Sequence, residues 1–221
     1  MMEFLFLDLD DTILDFQKAE RIAIAKSFRE FGVEPTEAVL ARYHVINKWH
    51  WEQLELGKLT RDQVKQDRFT ALFRELGEPV DAAACARTYE KNLAIGHYFL
   101  PGAEEALEQL HGKYRLFLAS NGTASVQKGR MTSANLYRFF EQVFVSQEVG
   151  INKPSLEYFQ ACFARIPGFC PERAMMVGDS LTSDILGGIR AGIPTVWVNP
   201  QHKRAGDIHP DYEIEALSQL P

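Results

Sequence analysis

The chain has 221 residues, of which 46% are hydrophobic, with a formal net charge of −6 and a pI near 5.6. This size allows one large domain or a core domain with an insertion, and the negative charge argues against a nucleic-acid partner. No apolar run approaches the roughly 20 residues of a membrane span, and no signal peptide is recognisable, so we expect a cytoplasmic protein without a membrane partner.

The first apolar run, residues 4–7, predicts a buried strand, and carboxylates follow it at Asp8, Asp10 and Asp11. Carboxylates so close together repel one another unless a cation or a reacting group lies among them. The pattern favours a carboxylate nucleophile with a neighbouring acid/base group, held around a divalent metal. A solvated acidic turn is the alternative interpretation of these residues alone.

The next part of the chain contains helical patterns and no convincing strand. A capping box at residues 60–63 opens one of these helices. Four helices are predicted, at residues 16–31, 36–56, 60–76 and 81–96. We therefore expect a core domain of residues 1–14 and 100–221 and a helical cap domain of residues 15–99, with hinges near the two crossings.

Short aliphatic runs alternate with helical patterns in the rest of the chain. They predict strands at residues 114–120, 142–146, 174–179 and 194–199, with a weaker one at 212–214. This alternation indicates an α/β fold, a Rossmann-like doubly wound parallel sheet covered by helices on both faces. Because ligands bind beyond the carboxyl ends of such strands, the side chains of Asp8, Ser120, Ser146 and Asp179 are expected to converge there.

Four ordered motifs carry a family resemblance. Residues 8–12 (DLDDT), Ser120–Asn121, Lys153–Pro154, and Gly178–Ser180 with Asp184 resemble the motifs of haloacid dehalogenase-like hydrolases. Each motif alone is weak, but all four in order, each at a strand end, are specific. The resemblance spans the whole chain and implies a Rossmann-like core, an inserted four-helix cap and Mg²⁺-dependent hydrolysis through an aspartyl phosphate.

The resemblance assigns the catalytic roles. Asp8 is expected to attack phosphorus, and Asp10 to protonate the leaving alcohol and then activate water. Thr12 is expected to orient Asp10 by a hydrogen bond, with an ordinary turn residue as the alternative. Lys153, expected in the first turn of a helix, would hold Asp8 and the phosphoryl group together, with a solvated surface lysine as the alternative.

The resemblance also assigns the ligand contacts. Ser120 and the backbone amide of Asn121 are expected to bind phosphoryl oxygens, which is compatible with capping the next helix. Asp179 and the Asp8 carboxylate, with the main-chain carbonyl of Asp10, are the expected Mg²⁺ ligands, and Asp184 is expected to order metal-bound water. The six histidines are scattered, and no His/Cys cluster suits zinc.

Asp10 also bears on the substrate. The dehalogenase branch usually lacks a carboxylate at this place, because a leaving halide needs no proton, so Asp10 favours phosphate-ester hydrolysis. Residues 10–16 and 199–201 look most like the branch that hydrolyses pyrimidine nucleoside 5′-monophosphates. The candidates for stacking on a base are Trp49, Trp51 and Tyr98, with His50, and core packing is the alternative for each.

Several alternatives stay open. The same motifs suit a sugar-phosphate or phosphoglycolate phosphatase, and less well a mutase or a haloacid dehalogenase. A non-catalytic binding protein would be expected to lack Asp8 or Asp179. The expected partner is a small phosphorylated metabolite, and the protein is expected to be a monomer or a homodimer. The odd number of cysteines, Cys85, Cys162 and Cys170, predicts buried thiols rather than disulfides.

Overall fold

The chain forms two compact units in the computed structural model, which describes residues 2–220. The first unit comprises Met1–Phe16 and His97–Pro221, and the second, the helical unit, comprises Gln17–Gly96. The two segments that leave and re-enter the first unit run side by side. Leu14 and Phe99 form an antiparallel bridge, and the Leu100 amide donates to the Ile13 carbonyl at 3.0 Å.

A six-stranded sheet forms the centre of the first unit, and every strand pair in it is parallel. The strands are β1 (Phe4–Leu7), β2 (Arg115–Ser120), β3 (Gln142–Val145), β4 (Ala174–Gly178), β5 (Thr195–Val198) and β6 (Tyr212–Ile214). Their spatial order is β3-β2-β1-β4-β5-β6, so the order reverses beside β1. The prediction of a Rossmann-like doubly wound parallel sheet is confirmed.

Strand β1 is buried along its whole length because it has neighbours on both sides and helices on both faces. Successive side chains point to opposite faces of a strand. Leu5 and Leu7 accordingly belong to an aliphatic core on one face, whereas Phe4 and Phe6 belong to an aromatic core on the other. The carboxyl end of β1 therefore lies at the middle of the sheet edge.

The insertion after the first strand is helical, as the sequence predicts. Its helices are α1 (Phe16–Glu30), α2 (Glu37–Glu55), α3 (Arg61–Leu76) and α4 (Ala82–Leu93). Thr60 begins α3 with a reciprocal capping box to Gln63, and Gly77 ends it in the left-handed conformation that glycine adopts without strain. These local signals explain why the predicted helix boundaries lie close to the observed ones.

Five further helices flank the sheet, namely α5 (Ala103–Leu110), α6 (Ala124–Ser133), α7 (Ser146–Val149), α8 (Leu156–Phe163) and α9 (Leu186–Ala191). None of the helices in residues 2–220 is long and apolar enough to cross a membrane. All three cysteines are free thiols. Cys85 and Cys162 are buried, but Cys170 is partly exposed, because it lies in the loop before the Pro171–Arg173 turn, so the expectation of burial was wrong for it.

A buried polar chain links three helices inside the helical unit. Asn47 on α2 donates to Oε1 of Glu20 on α1 at 2.5 Å and accepts from Nη1 of Arg68 on α3 at 2.5 Å. All three side chains are buried. Because a buried charge without a partner is costly, the Asn47 amide links a carboxylate and a guanidinium that do not bond each other directly.

We predict that Asn47→Leu will destabilise the protein by about 2–4 kcal/mol, because it removes this bridge and the hydrogen bond of the buried Arg68 guanidinium, although Glu20 keeps His44 at 2.7 Å. The measurement is the free energy of unfolding in urea, with circular dichroism as the signal that reports unfolding. Asn92→Leu is the matched control, since the Asn92 amide makes its bond to Ser27 from a partly exposed position. Equal losses of unfolding free energy in the two variants would show that the Asn47 bridge contributes no more stability than a partly exposed hydrogen bond.

Candidate active site

The three carboxylates in the loop after β1, those of Asp8, Asp10 and Asp11, differ in exposure and in hydrogen-bond partners. The Asp8 amide donates to the Val177 carbonyl of β4 at 3.0 Å, and the residue is only 7% exposed. Asp10 lies further out and is partly exposed. Asp11 has a positive φ of 54°, and its carboxylate accepts a hydrogen bond from the Phe16 amide at 2.9 Å, at the start of α1. Only Asp8 and Asp10 therefore remain for chemistry.

Lys153 is the buried cation of the site. Its ammonium donates to Oδ1 of Asp8 at 2.7 Å, to Oδ1 of Asp184 at 2.6 Å and to the Ala119 carbonyl at 2.5 Å. An ammonium has three donors, so all three are used. Lys153 is thus no solvated surface lysine. The expectation that it begins a helix was wrong, because it lies in a turn and α8 begins only after its cap residue, Ser155.

Two further acids come from the end of β4. Asp179 follows the strand directly, and its main-chain carbonyl accepts a hydrogen bond from Nε1 of Trp197 at 2.8 Å. Asp184 lies in a π-helical turn, and its Oδ2 accepts from the Ser180 amide at 3.1 Å. A Cβ atom at Gly178 would lie 2.2 Å from that same Oδ2, so only glycine allows the carboxylate to approach the strand.

The three carboxylates of Asp8, Asp179 and Asp184 form one cluster, with a ligand oxygen of each within 4.8 Å of the others. The single positive charge of Lys153 does not neutralise the negative charge of three ionised carboxylates. Burial raises the pKa of Asp8 to about 8, with Asp184 and Asp10 adding to the rise and Lys153 opposing it. Burial also raises the pKa of Asp179 well above its ordinary value. These oxygen donors and this excess of negative charge fit a hard divalent cation such as Mg²⁺.

Ser120 and Asn121 lie at the end of β2, as predicted. The buried Ser120 hydroxyl accepts hydrogen bonds from the Gly122 amide at 3.1 Å and from Gln127 Nε2 at 2.9 Å, so its own hydrogen is left to donate. The Asn121 side chain instead joins loops, because it exchanges two 2.9 Å hydrogen bonds with the Lys153 backbone. Neither residue caps α6, whose N-cap residue is Thr123.

Thr12 does not orient Asp10. Its hydroxyl is buried and has no hydrogen-bond partner among residues 2–220, because the Asp10 carboxylate is bound from another direction. Arg130 Nη1 contacts Oδ1 of Asp10, and Gln127 Nε2 donates to its Oδ2 at 2.7 Å. Neither residue was predicted from the sequence. The available signal was their spacing of three on α6, which places both on one face of the helix.

The aromatic candidates for stacking occupy different surroundings. Trp49 on α2 is 52% exposed, whereas His50 is buried and its Nδ1 bonds the Ile46 carbonyl at 2.8 Å. His50 is therefore unsuited to contact a base. The Arg61 guanidinium lies 5.7 Å from the ring centroid of Trp51. Tyr98 belongs to the first unit, not to the helical unit, and its ring stacks on His97.

Comparisons with known proteins identify the family of this chain. The sequence profile of the haloacid dehalogenase-like hydrolases matches residues 2–192. The protein YfnB of Bacillus subtilis is 41% identical over 98% of this chain and 92% of its own. A crystal structure of YfnB bound to magnesium has a TM-score of 0.94 and 40% identity, covering 99% of this chain and 96% of that one. The chain belongs to the haloacid dehalogenase-like hydrolases, which confirms the resemblance.

Two relatives carry names that state a substrate. The pyrimidine 5′-nucleotidase PynA of Streptococcus pneumoniae is 37% identical over 99% of this chain and 93% of its own. The glyceraldehyde 3-phosphate phosphatase of Methanothermobacter thermautotrophicus is 31% identical over 100% of this chain and 98% of its own. The chain is thus an enzyme of this hydrolase family, and its similarity extends over more than nine-tenths of each of these relatives.

We predict that Mg²⁺ will raise the melting temperature more at pH 8.5 than at pH 6. The raised pKa values of Asp8 and Asp179 mean that the folded protein without a cation binds protons more tightly than the unfolded chain. The stability from these groups is present below about pH 4 and is lost as the pH rises through about 8 for Asp8. Ionised carboxylates also bind metal more tightly.

The measurement is thermal unfolding over a Mg²⁺ titration at both pH values. At about 100 times the dissociation constant we expect a rise of about 5–10 °C at pH 8.5. Asp179→Asn should lose most of this rise, whereas Asp207→Asn, which changes an exposed acid outside the carboxylate cluster, should keep it. The same rise in both variants would place the cation elsewhere.

Proposed function

We propose that this enzyme is a Mg²⁺-dependent phosphomonoester hydrolase that forms an aspartyl phosphate on Asp8 and acts on pyrimidine nucleoside 5′-monophosphates. The observation that carries the reaction class is the buried contact between Lys153 and Asp8 beside Asp184. Such a contact holds one carboxylate in a fixed position and provides positive charge where a phosphoryl group arrives.

In the first step an oxygen of the Asp8 carboxylate attacks phosphorus in line, and the bond between phosphorus and the leaving oxygen breaks. Asp10 gives its proton to that leaving oxygen, so that the alcohol departs neutral. The Ser120 hydroxyl, whose hydrogen is left to donate, and the backbone amide of Asn121 hold the non-bridging oxygens of the phosphoryl group. The ammonium of Lys153 keeps Asp8 in place throughout.

In the second step a water molecule attacks the phosphorus of the acyl phosphate, and the Asp10 carboxylate accepts the proton of that water. The bond between phosphorus and the Asp8 oxygen breaks, which releases inorganic phosphate and restores the Asp8 carboxylate. Asp10 ends the cycle protonated, ready to serve as the acid again. One residue thus serves as acid and then as base, which suits a carboxylate that is partly exposed.

The proposed ligands of Mg²⁺ are the carboxylates of Asp8 and Asp179 and the main-chain carbonyl of Asp10, with Asp184 ordering a water ligand. When bound, Mg²⁺ supplies positive charge that offsets the charge of the phosphoryl group. The clustered carboxylates with raised pKa values support this assignment. The magnesium-bound crystal structure of YfnB supports it as well.

Substrate choice rests on two arguments. Asp10 provides a proton that an alcohol needs and a halide does not, which favours a phosphate ester over a carbon–halogen bond. PynA, a pyrimidine 5′-nucleotidase, is 37% identical, against 31% for the glyceraldehyde 3-phosphate phosphatase, which favours a nucleotide over a sugar phosphate. We propose that the helical unit acts as the cap that selects the leaving group, because the core residues serve the phosphoryl group and the metal.

Asp8→Asn should lower kcat by more than about 1,000-fold, because an amide is a poor nucleophile. The melting temperature should not fall, since burial disfavours the charge that the substitution removes. Phosphate release and thermal unfolding are the two measurements. Asp207→Asn is the control for a surface acid. Near-normal turnover by folded Asp8→Asn would refute the nucleophile assignment.

A panel of phosphate esters tests the substrate. The kcat/KM values for dUMP, dTMP or UMP should exceed those for phosphoglycolate and for hexose phosphates. The exposed Trp49 is our candidate for stacking on the base, so Trp49→Ala should cost nucleotides about 1–3 kcal/mol of transition-state stabilisation and spare p-nitrophenyl phosphate. Val45→Ala, which removes another exposed apolar side chain of α2, is the control. A preference for phosphoglycolate would favour the alternative.

A further inference from the structure

We propose that Gln127 and Arg130 of α6 are positioning residues for Asp10, holding its carboxylate where it exchanges a proton with the leaving alcohol and with water. The inference rests on the proposed phosphatase reaction, and adds to it two residues that lie outside the four sequence motifs. They bind the two oxygens of one carboxylate, Arg130 at Oδ1 and Gln127 at Oδ2.

Arg130 is completely buried, whereas the side chain of Asp10 is 28% exposed. The guanidinium lies 5.6 Å from the ring centroid of Phe16, and its Nη1 donates to Oε1 of Gln127 at 3.2 Å. A buried guanidinium keeps its charge and is stabilised by a carboxylate partner. Asp10 is that partner in its ionised form, so the contact has a fixed end at Arg130 and an accessible end at Asp10, where a proton is taken up and given away.

Gln127 connects the acid/base residue to the phosphate-binding side of the site. Its Nε2 donates to Oδ2 of Asp10 at 2.7 Å and to Oγ of Ser120 at 2.9 Å. A Cβ atom at Gly122 would lie 2.3 Å from that nitrogen, so the backbone there leaves room for the amide. One side chain therefore sets the distance between the proposed proton donor and the proposed phosphate ligand.

Positioning matters here because Arg130 and Gln127 supply the side-chain hydrogen bonds to this carboxylate found in residues 2–220. The hydroxyl of Thr12, the neighbour expected to orient it, has no hydrogen-bond partner within residues 2–220. A shift of about 1 Å in a reacting group can cost about 100-fold in rate. Two residues one turn apart on a single helix hold both carboxylate oxygens, so a rigid element determines where the proton is transferred.

The test compares two substrates in wild type, Arg130→Met, Arg130→Lys and Gln127→Met. For dUMP, whose alcohol needs a proton, the single-turnover rate of the first step should fall about 10–100-fold in Arg130→Met and Gln127→Met, with KM within about threefold. For p-nitrophenyl phosphate, whose leaving group needs none, the single-turnover rate of the first step, followed by release of p-nitrophenol, should fall less than about fivefold. Arg130→Lys should recover part of the loss, and Lys128→Met, an exposed residue of α6, should match wild type.

The same substitutions in an Asp10→Asn background decide between positioning and general support of the fold. If Gln127 and Arg130 act through Asp10, each should lower kcat by less than about twofold further, because effects of coupled residues do not add. Equal losses in the first-step rate on both substrates, or losses that persist beside Asn at position 10, would overturn the proposal.

Thermal unfolding gives a readout without catalysis. The double variant Asp10→Asn, Arg130→Met should change the melting temperature by less than the sum of the two separate changes. The difference between that sum and the observed change should be about 2–4 °C. Strict additivity would show that the contact is absent and would overturn the proposal. A wild-type enzyme that hydrolyses neither ester would overturn the proposed function itself, whereas one that hydrolyses both with uniform losses would overturn only the positioning role.

Discussion

The buried ammonium of Lys153 is the contact on which the site depends. It bonds Asp8 after β1, the Ala119 carbonyl of β2 and Asp184 after β4, so one cation joins the ends of three adjacent strands. Asn121 fixes the backbone of the lysine by two further hydrogen bonds. Only a sheet in which β2, β1 and β4 are neighbours and parallel brings these ends together. The topology is therefore a requirement of the charge arrangement and not a neutral scaffold.

The charge of Lys153 does not balance the cluster of Asp8, Asp179 and Asp184, in which negative charge exceeds positive charge. Burial favours the protonated form of Asp8 and Asp179, whereas the carboxylates of Asp8 and Asp184 raise the pKa of Lys153 although burial alone would lower it. A folded site that holds several acids around one lysine is thus less stable without an additional cation than with one. A divalent metal bound there would relieve this repulsion, and it would also favour the ionised form of Asp8 that the proposed nucleophilic attack requires. Stability and proposed activity depend on the same charge balance.

Sequence patterns predicted the features that depend on local chemistry. The capping box at Thr60 and the glycine at Gly77 determine where α3 begins and ends within a few residues. Contacts between distant segments were not predictable in this way. Gln127 and Arg130 lie 117 and 120 residues from Asp10, and their contacts depend on which face of α6 turns towards the loop after β1. Asp11 and Thr12 show that contacts of neighbouring residues can be equally hard to predict. The backbone geometry of Asp11 and the burial of the Thr12 hydroxyl, not their residue types, decide what these side chains bond.

Asp8 and Asp10 of the DLDDT motif have different cationic partners, and this difference supports different roles in the proposed reaction. Asp8 is almost fully buried against Lys153, so its position is fixed and its oxygen meets phosphorus without prior movement. Asp10 is held by Arg130 and Gln127 but remains partly exposed, so water and a leaving alcohol can reach it. Neighbouring acids with distinct environments divide into nucleophile and acid/base residue in enzymes generally. Residues only two positions apart obtain those environments here because one faces the sheet edge and the other faces α6.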